Sequence, residues 1–187
     1  MKQQYITGYA LGLVLAAWSV YQQNYEFMLY AAAVFAFLGI IQWTDSKYHY
    51  SSTSLWLVVL WIVLHILGGL WVVDGQVLYS KVLIPIVGEP YNILKYDQVV
   101  HAFCYFTVTL LMWRVVTSIS KPSASRAELL FVTVLAATAI GGVNEIIEFI
   151  ATVTVPDTNV GGYENTAIDI ISNLVGALLA TPLLKNT

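Results

Sequence analysis

Carboxylate, imidazole and amide side chains recur at helical spacing inside otherwise apolar stretches of the chain. Three pairs stand out: Asp97 with His101, Glu145 with Glu148, and Asp169 with Asn173. Residues three or four positions apart lie on one face of a helix, so each pair can present both side chains to one place. Carboxylates combined with imidazole can bind a divalent metal ion or exchange protons with a substrate.

The sequence around these pairs has the composition of an integral membrane protein. Of 187 residues, 58% are hydrophobic and only 10% are charged, against about 25% charged in ordinary globular domains. Eight Lys and Arg against 11 Asp and Glu give a net charge of −3 with no basic run, which excludes nucleic-acid binding. The single cysteine, Cys104, excludes a disulfide framework and a Cys-based metal site.

Six segments are long and apolar enough to cross a bilayer, since a spanning helix needs about 20 mostly apolar residues. They are approximately 5–22, 27–43, 53–73, 97–117, 127–151 and 166–184. We therefore predict an all-α polytopic membrane protein, a six-transmembrane-helix bundle that forms a single transmembrane domain over residues 1–187. The first segment has no A-x-A-like cleavage site, so we expect a retained helix rather than a signal peptide.

The links between these segments differ in length. The link 74–96 contains Pro85 and Pro90, which prevent a regular helix. Its apolar core, VLIPIVG, is too short to span, so we predict a re-entrant or interfacial segment between helices 3 and 4. Acidic and histidine residues in the predicted loops are expected to be solvated: Asp45, His49, Asp74, Glu89, Asp157 and Glu164.

The distribution of basic residues predicts the orientation. The termini, the 44–52 loop and the region 114–126 together hold six basic residues: Lys2, Lys47, Arg114, Lys121, Arg126 and Lys185. The other side holds only Lys81 and Lys95. Because cytoplasmic loops carry the excess of Lys and Arg, we predict a protein of the cytoplasmic (inner) membrane with both termini in the cytoplasm. The long links 74–96 and 152–165 then face outward.

This topology brings the three polar pairs to a similar depth. Segments four and six begin at the outer side and segment five ends there, while His65 lies about 12 Å below the outer end of segment three at about 1.5 Å per residue. An ionisable side chain within a span costs about 2.5–3.5 kcal/mol on insertion scales. The simplest interpretation is therefore that the three polar pairs and His65 form one shared site.

Close carboxylates in a low dielectric need protons or a metal ion to neutralise them. The predicted metal ligands are Asp97, His101, Glu145, Glu148 and Asp169. Oxygen-rich ligation with imidazole favours Mg²⁺, Mn²⁺, Fe²⁺ or Zn²⁺. Glu145, Glu148 and His101 are the predicted catalytic residues. The predicted substrate-contacting or supporting residues are His65, Asn144 and Asn173.

Structural alternatives remain open for several of these residues. Asp97 follows Lys95 and Tyr96, so it can equally be a helix N-cap or reach the headgroup region. His65 and Asn173 can serve as interhelical hydrogen-bonding groups instead of site residues.

The polar motifs resemble a known family. The order Asp-x3-His, Glu-x2-Glu and Asp-x3-Asn-x2-Gly-Ala is similar to the small bacterial inner-membrane proteins of the YjdF-like family, and more distantly to the VanZ-like proteins associated with teicoplanin resistance. The matching positions are Asp97, His101, Glu145, Glu148, Asp169, Asn173, Gly176 and Ala177, within roughly residues 60–180. Asn165-Thr166 stands where the YjdF-like pattern has Asp-Thr, and Glu148 where VanZ-like proteins tend to have Gln. The resemblance implies a membrane location and an acidic site, without a defined reaction.

Three functions are compatible with these features. The leading hypothesis is a metal-dependent hydrolase or transferase that handles a lipid or lipid-linked substrate at the outer leaflet, with membrane lipids as its partners. The alternatives are a proton- or ion-coupled small-solute transporter and a noncatalytic membrane assembly subunit. A homo-oligomer, or association with another membrane subunit, is left open.

Overall fold

The computed structural model describes residues 1–156, 158 and 160–185, so the predicted loop residue Asp157 lies outside the described residues. Six long helices follow one another: α1 (Gln3–Tyr21), α2 (Tyr25–Tyr48), α3 (Ser52–Leu70), α4 (Tyr96–Ile119), α5 (Arg126–Thr154) and α6 (Tyr163–Ala180). Each of the six predicted segments overlaps one helix. Among the described residues, α2 to α6 are long and apolar enough to cross a membrane. The sixth span, α1, stays a prediction, and its 19 residues include the polar side chains of Gln3, Gln4, Thr7 and Ser19.

Polar side chains at the helix ends fix where the helices begin. Asn24, Ser51 and Ser125 each accept a hydrogen bond from the backbone N–H three residues ahead, at the starts of α2, α3 and α5. Such N-caps satisfy backbone donors that have no partner within the helix. His49 ends α2 in the left-handed conformation, with φ of 51°.

The link between α3 and α4 folds as two small antiparallel hairpins, so the bundle is not entirely helical. Strands β1 (Val72–Val73) and β2 (Gln76–Val77) pair through a turn at Asp74-Gly75, and β3 (Val82–Val87) pairs with β4 (Ile93–Lys95). Only one 3₁₀ turn, Leu78–Ser80, occurs in this described segment, as expected from its two prolines. All six residues of β3 are exposed. The predicted re-entrant or interfacial path of this segment stays a prediction.

Helix α4 lies at the centre of the bundle and packs against α3, α5 and α6. Its contact with α6 is especially close. A Cβ built on Gly176 would lie 1.9 Å from the carbonyl oxygen of Ala102, so only glycine fits at this crossing. Helix α1 packs against α2 and α3, away from α5 and α6. The bundle therefore has an α1–α3 side and an α4–α6 side that meet at α3 and α4.

The basic residues divide between the two ends of the bundle as the sequence grouped them. Lys2 Nζ lies 2.7 Å from Asp45 Oδ2, and Arg114 donates to the backbone at the end of α2. The other four residues of that group lie at the same end, because α2, α4 and α6 end there and α5 begins there. Lys81 and Lys95 lie at the opposite end. The expectation that Asp45 is a solvated loop residue is wrong, since it belongs to α2 and is 8% exposed.

Candidate metal centre

His101 of α4 is surrounded by polar side chains from three helices. Its Nε2 lies 3.6 Å from Asp97 Oδ1 and 3.7 Å from Glu148 Oε1. Its Nδ1 lies 3.5 Å from Glu145 Oε1 and 3.1 Å from Asn173 Oδ1. Members of all three polar pairs, which come from α4, α5 and α6, therefore meet at one point.

Four of the five predicted metal ligands form a compact set. One ligand atom from each of His101, Glu145, Glu148 and Asp169 lies within 4.8 Å of all the others. Ligands on opposite sides of a Mg²⁺ ion are about 4.2 Å apart, because each bond is about 2.1 Å long. A small contraction would therefore allow these four groups to hold one ion. Asp97 is outside this set and adjoins it through His101.

Two of these carboxylates are buried without adequate partners. Glu145 is 6% exposed and Asp169 is 0% exposed. Neither oxygen of Glu145, nor Oδ1 of Asp169, has a hydrogen-bond partner. Buried polar atoms are nearly always paired, and a lone buried carboxylate is costly. These oxygens therefore require a proton or a cation.

Amide side chains donate to two other carboxylate oxygens of this set. Asn144, one of the predicted supporting residues, donates from Nδ2 to Glu148 Oε1 over 2.7 Å. Asn165 Nδ2 donates to Asp169 Oδ2, and Lys95 Nζ donates to Asn165 Oδ1 over 3.3 Å. In the sequence, Asn165 stood out only as a departure from the YjdF-like pattern. Its position four residues before Asp169, on the same helix face, was the feature of the sequence that could have identified it.

His65 lies outside the carboxylate cluster. Its Nδ1 is hydrogen-bonded to the hydroxyl of Tyr79, and its ring stacks on Trp61 with centroids 5.6 Å apart. Burial raises the pKa of Tyr79 well above its ordinary value, so the hydroxyl keeps its proton. The other nitrogen, Nε2, is buried with no partner. Sequence reasoning missed Tyr79, which comes from the link and fits where Gly68 leaves room beside its ring.

A cavity of about 290 Å³ connects His65 with the carboxylate cluster. Its polar lining comprises Glu26, Tyr30, His65, Tyr79, Asp97, His101, Tyr105, Asn144, Glu148 and Asn165. Most of the remaining wall is aliphatic or aromatic. Glu26 was missed because the predicted second segment began at residue 27, whereas α2 begins at Tyr25 and leaves Glu26 only 4% exposed.

Comparison with known proteins identifies the family. Residues 4–186 match the family described as "Predicted membrane protein (DUF2238)". The chain belongs to this family. No curated protein and no solved structure matches it. Membership of the DUF2238 family confirms the membrane class predicted from composition, and the more specific YjdF-like and VanZ-like resemblances stay predictions.

Proposed function

We propose that this protein binds a divalent metal ion in the membrane and uses it to hydrolyse, or transfer a group on, the head group of a lipid or lipid-linked substrate. The observation that carries the proposal is the set of buried carboxylate oxygens without partners on Glu145 and Asp169, beside His101. A divalent cation would compensate these oxygens together, because it can accept several ligands at once.

The ligand roles follow from the chemistry of the four groups. Glu145, Asp169 and His101 would hold the ion from α5, α6 and α4. The hydrogen bonds from Asn165 to Asp169 and between Asn173 and His101 would orient these ligands, as supporting partners do in metal sites. A bound ion would polarise a phosphoryl or carbonyl oxygen and lower the pKa of a bound water.

Glu148 is the better candidate for the general base. Both Glu145 and Glu148 were predicted for this role, but only Glu148 lines the cavity, with its side chain 16% exposed. A general base must come within hydrogen-bond reach of the proton that it removes. Asn144 donates to Oε1 of Glu148, which leaves Oε2 to receive the proton.

The transporter alternative receives less support. A proton relay would need polar side chains that continue from the cluster toward the other end of the bundle. Thr107 and Thr109 of α4 instead donate to carbonyl oxygens of their own helix, four residues back. Thr133 and Thr138 of α5 do the same. These four hydroxyl protons are therefore engaged within single helices, which lowers the support for a relay.

The activity test uses purified protein with a total lipid extract of its host membrane. The extract is incubated with Mn²⁺ or with EDTA, and the products are read by mass spectrometry. We expect a head-group product with Mn²⁺ from the wild type and from Glu164→Gln, which alters an exposed acid at the start of α6. EDTA or Glu145→Gln should abolish it. A product that persists in both would contradict the proposal, as would solute flux in proteoliposomes without any product.

A further inference from the structure

The cavity beside the cluster is apolar along most of its length and open toward the side of the bundle. We infer that one hydrocarbon chain of an outer-leaflet lipid enters sideways between α2 and α5 and lies in this cavity. The inference rests on the proposed function in one respect, since it places the head group of that lipid at the His101 cluster.

The lining of the cavity is divided in polarity along the bundle. Asp97, His101 and Glu148 lie at the end nearest the α3–α4 link, whereas Phe37, Val108 and other apolar side chains lie deeper. Tyr30 and Tyr105 also line the cavity, and the wall below them is apolar, so it offers water few hydrogen-bond partners. Hydrocarbon would regain dispersion contacts with the same wall. The division therefore matches a molecule with a polar head and an apolar chain.

The cavity opens between two helices that face the membrane. Ile40 of α2 is 59% exposed and Val143 of α5 is 55% exposed, and both line the cavity. Helix α2 packs mainly on α1, and α5 packs on α4 and α6. Because α2 and α5 are both long and apolar enough to span the membrane, the opening between them faces lipid rather than water.

The length of the cavity suits a chain from one leaflet. Its lining runs along α2 from Glu26 to Ile40, a rise of about 21 Å at about 1.5 Å per residue. Half of the hydrocarbon core is about 15 Å thick, so a lining of this length can hold the chain of a lipid from one leaflet. The cavity volume of about 290 Å³ lies at the lower end of ligand pockets. One chain fits this space better than the paired chains of a diacyl lipid, so a second chain would stay in the bilayer.

Two neighbouring alanines on α2 provide a matched pair of variants. Ala33 is half-buried and lines the cavity, whereas Ala32 is exposed and lies outside its lining. Ala33→Trp would fill the space that we assign to the chain, and Ala32→Trp would add the same bulk at the same depth outside it. Val143→Trp and Ile146→Trp on α5 form a second pair, since Ile146 is exposed and does not line the cavity.

The experiment measures lipid and metal in the same preparations. Wild type and variants are purified in dodecyl maltoside without chelators, retained lipid per protein is quantified by mass spectrometry, and metal is quantified by elemental analysis. We expect lipid retention to fall roughly tenfold or more in Ala33→Trp and Val143→Trp and to stay at the wild-type level in their matched controls. Metal content should be the same in all.

The lipid content and the metal content of the same samples distinguish the chain site from the proposed metal site. Equal lipid retention in all variants would overturn the inference, and metal bound in the same samples would leave the proposed function standing. Lipid loss confined to the cavity variants, in a protein without metal, would support the chain site and overturn the metal site. If Ala33→Trp does not fold, the α5 pair decides by the same criteria.

Discussion

His101 on α4 and Asn173 on α6 are joined across the helix interface by a hydrogen bond of 3.1 Å between Nδ1 and Oδ1. Because an amide oxygen only accepts, the imidazole must donate from Nδ1. In the neutral imidazole, Nε2 then keeps its lone pair, on the side where Asp97 and Glu148 lie. Asn173 thus selects the tautomer that suits a metal ligand.

Replacing Asn173 by alanine should weaken metal binding without removing a ligand. The tautomer and ring orientation of His101 would no longer be fixed, and loss of such a partner costs on the order of 10–100-fold in metal affinity. Titration of the chelator-treated protein with Mn²⁺ or Zn²⁺ would measure this change. Ser172→Ala is the control, because the Ser172 hydroxyl donates to the carbonyl of Ile168 in its own helix. Equal affinities for Asn173→Ala and wild type would contradict this role.

Glu145→Gln should leave the metal-free protein at least as stable as the wild type. The substitution removes a buried carboxylate that has no hydrogen-bond partner and whose Oε1 lies 3.5 Å from His101 Nδ1, and a poorly compensated buried charge opposes folding. Thermal unfolding in EDTA would test this prediction. Added metal should raise the midpoint of the wild type only, because a ligand that binds the folded state stabilises it. A clear loss of stability in EDTA would instead indicate that Glu145 serves helix packing, as in an assembly subunit.

Gly176→Ala should destabilise the bundle, whereas Gly39→Ala should not. The new Cβ at Gly176 would meet the carbonyl oxygen of Ala102, but a Cβ at Gly39 meets no atom within 4 Å. Overpacking of this kind costs about 1–3 kcal/mol, while alanine in an open helical position is favoured by about 1 kcal/mol over glycine. Thermal unfolding of both variants in the same detergent would show opposite shifts. Shifts of the same sign and size would be inconsistent with the close α4–α6 crossing.

Tyr79→Phe should destabilise the protein through His65. The substitution removes the hydroxyl that pairs with Nδ1, and a buried polar group left unsatisfied costs about 1–3 kcal/mol. A double-mutant cycle with His65→Leu measures the coupling, since Tyr79→Phe should cost much less once the imidazole is gone. Additive effects of the two substitutions would show that the contact contributes nothing. Tyr91→Phe, at an exposed position of the same link, is the control.

The candidate site could largely be predicted from the sequence because it depends on the spacing of residues within single helices. Helical spacing placed Glu145 with Glu148 on one face, and the alternating direction of the spans brought that face to the depth of His101 and Asp169. Both steps use only short-range geometry and the cost of charge within a membrane. The positive-inside grouping of basic residues depended on the same alternation.

The missed features have three different causes. The insertion of Tyr79 beside His65 depends on how the link folds back on α3, which periodicity does not encode. The hairpins of that link were also missed, although the Asp74-Gly75 pair is a hairpin-turn signal. Glu26 was missed because the predicted second segment began one residue too late to include it. Helix bounds are the least certain result that hydrophobic periodicity gives.

The central claim is that the carboxylate cluster binds a divalent metal ion, and elemental analysis tests it most directly. Wild type, the Glu145→Ala/Glu148→Ala double variant and the exposed-acid control Glu164→Ala would be purified in detergent without chelators. We predict near-stoichiometric metal in the wild type and the control, and its loss in the double variant. Absence of metal from all three, or equal metal in all three, would contradict the account.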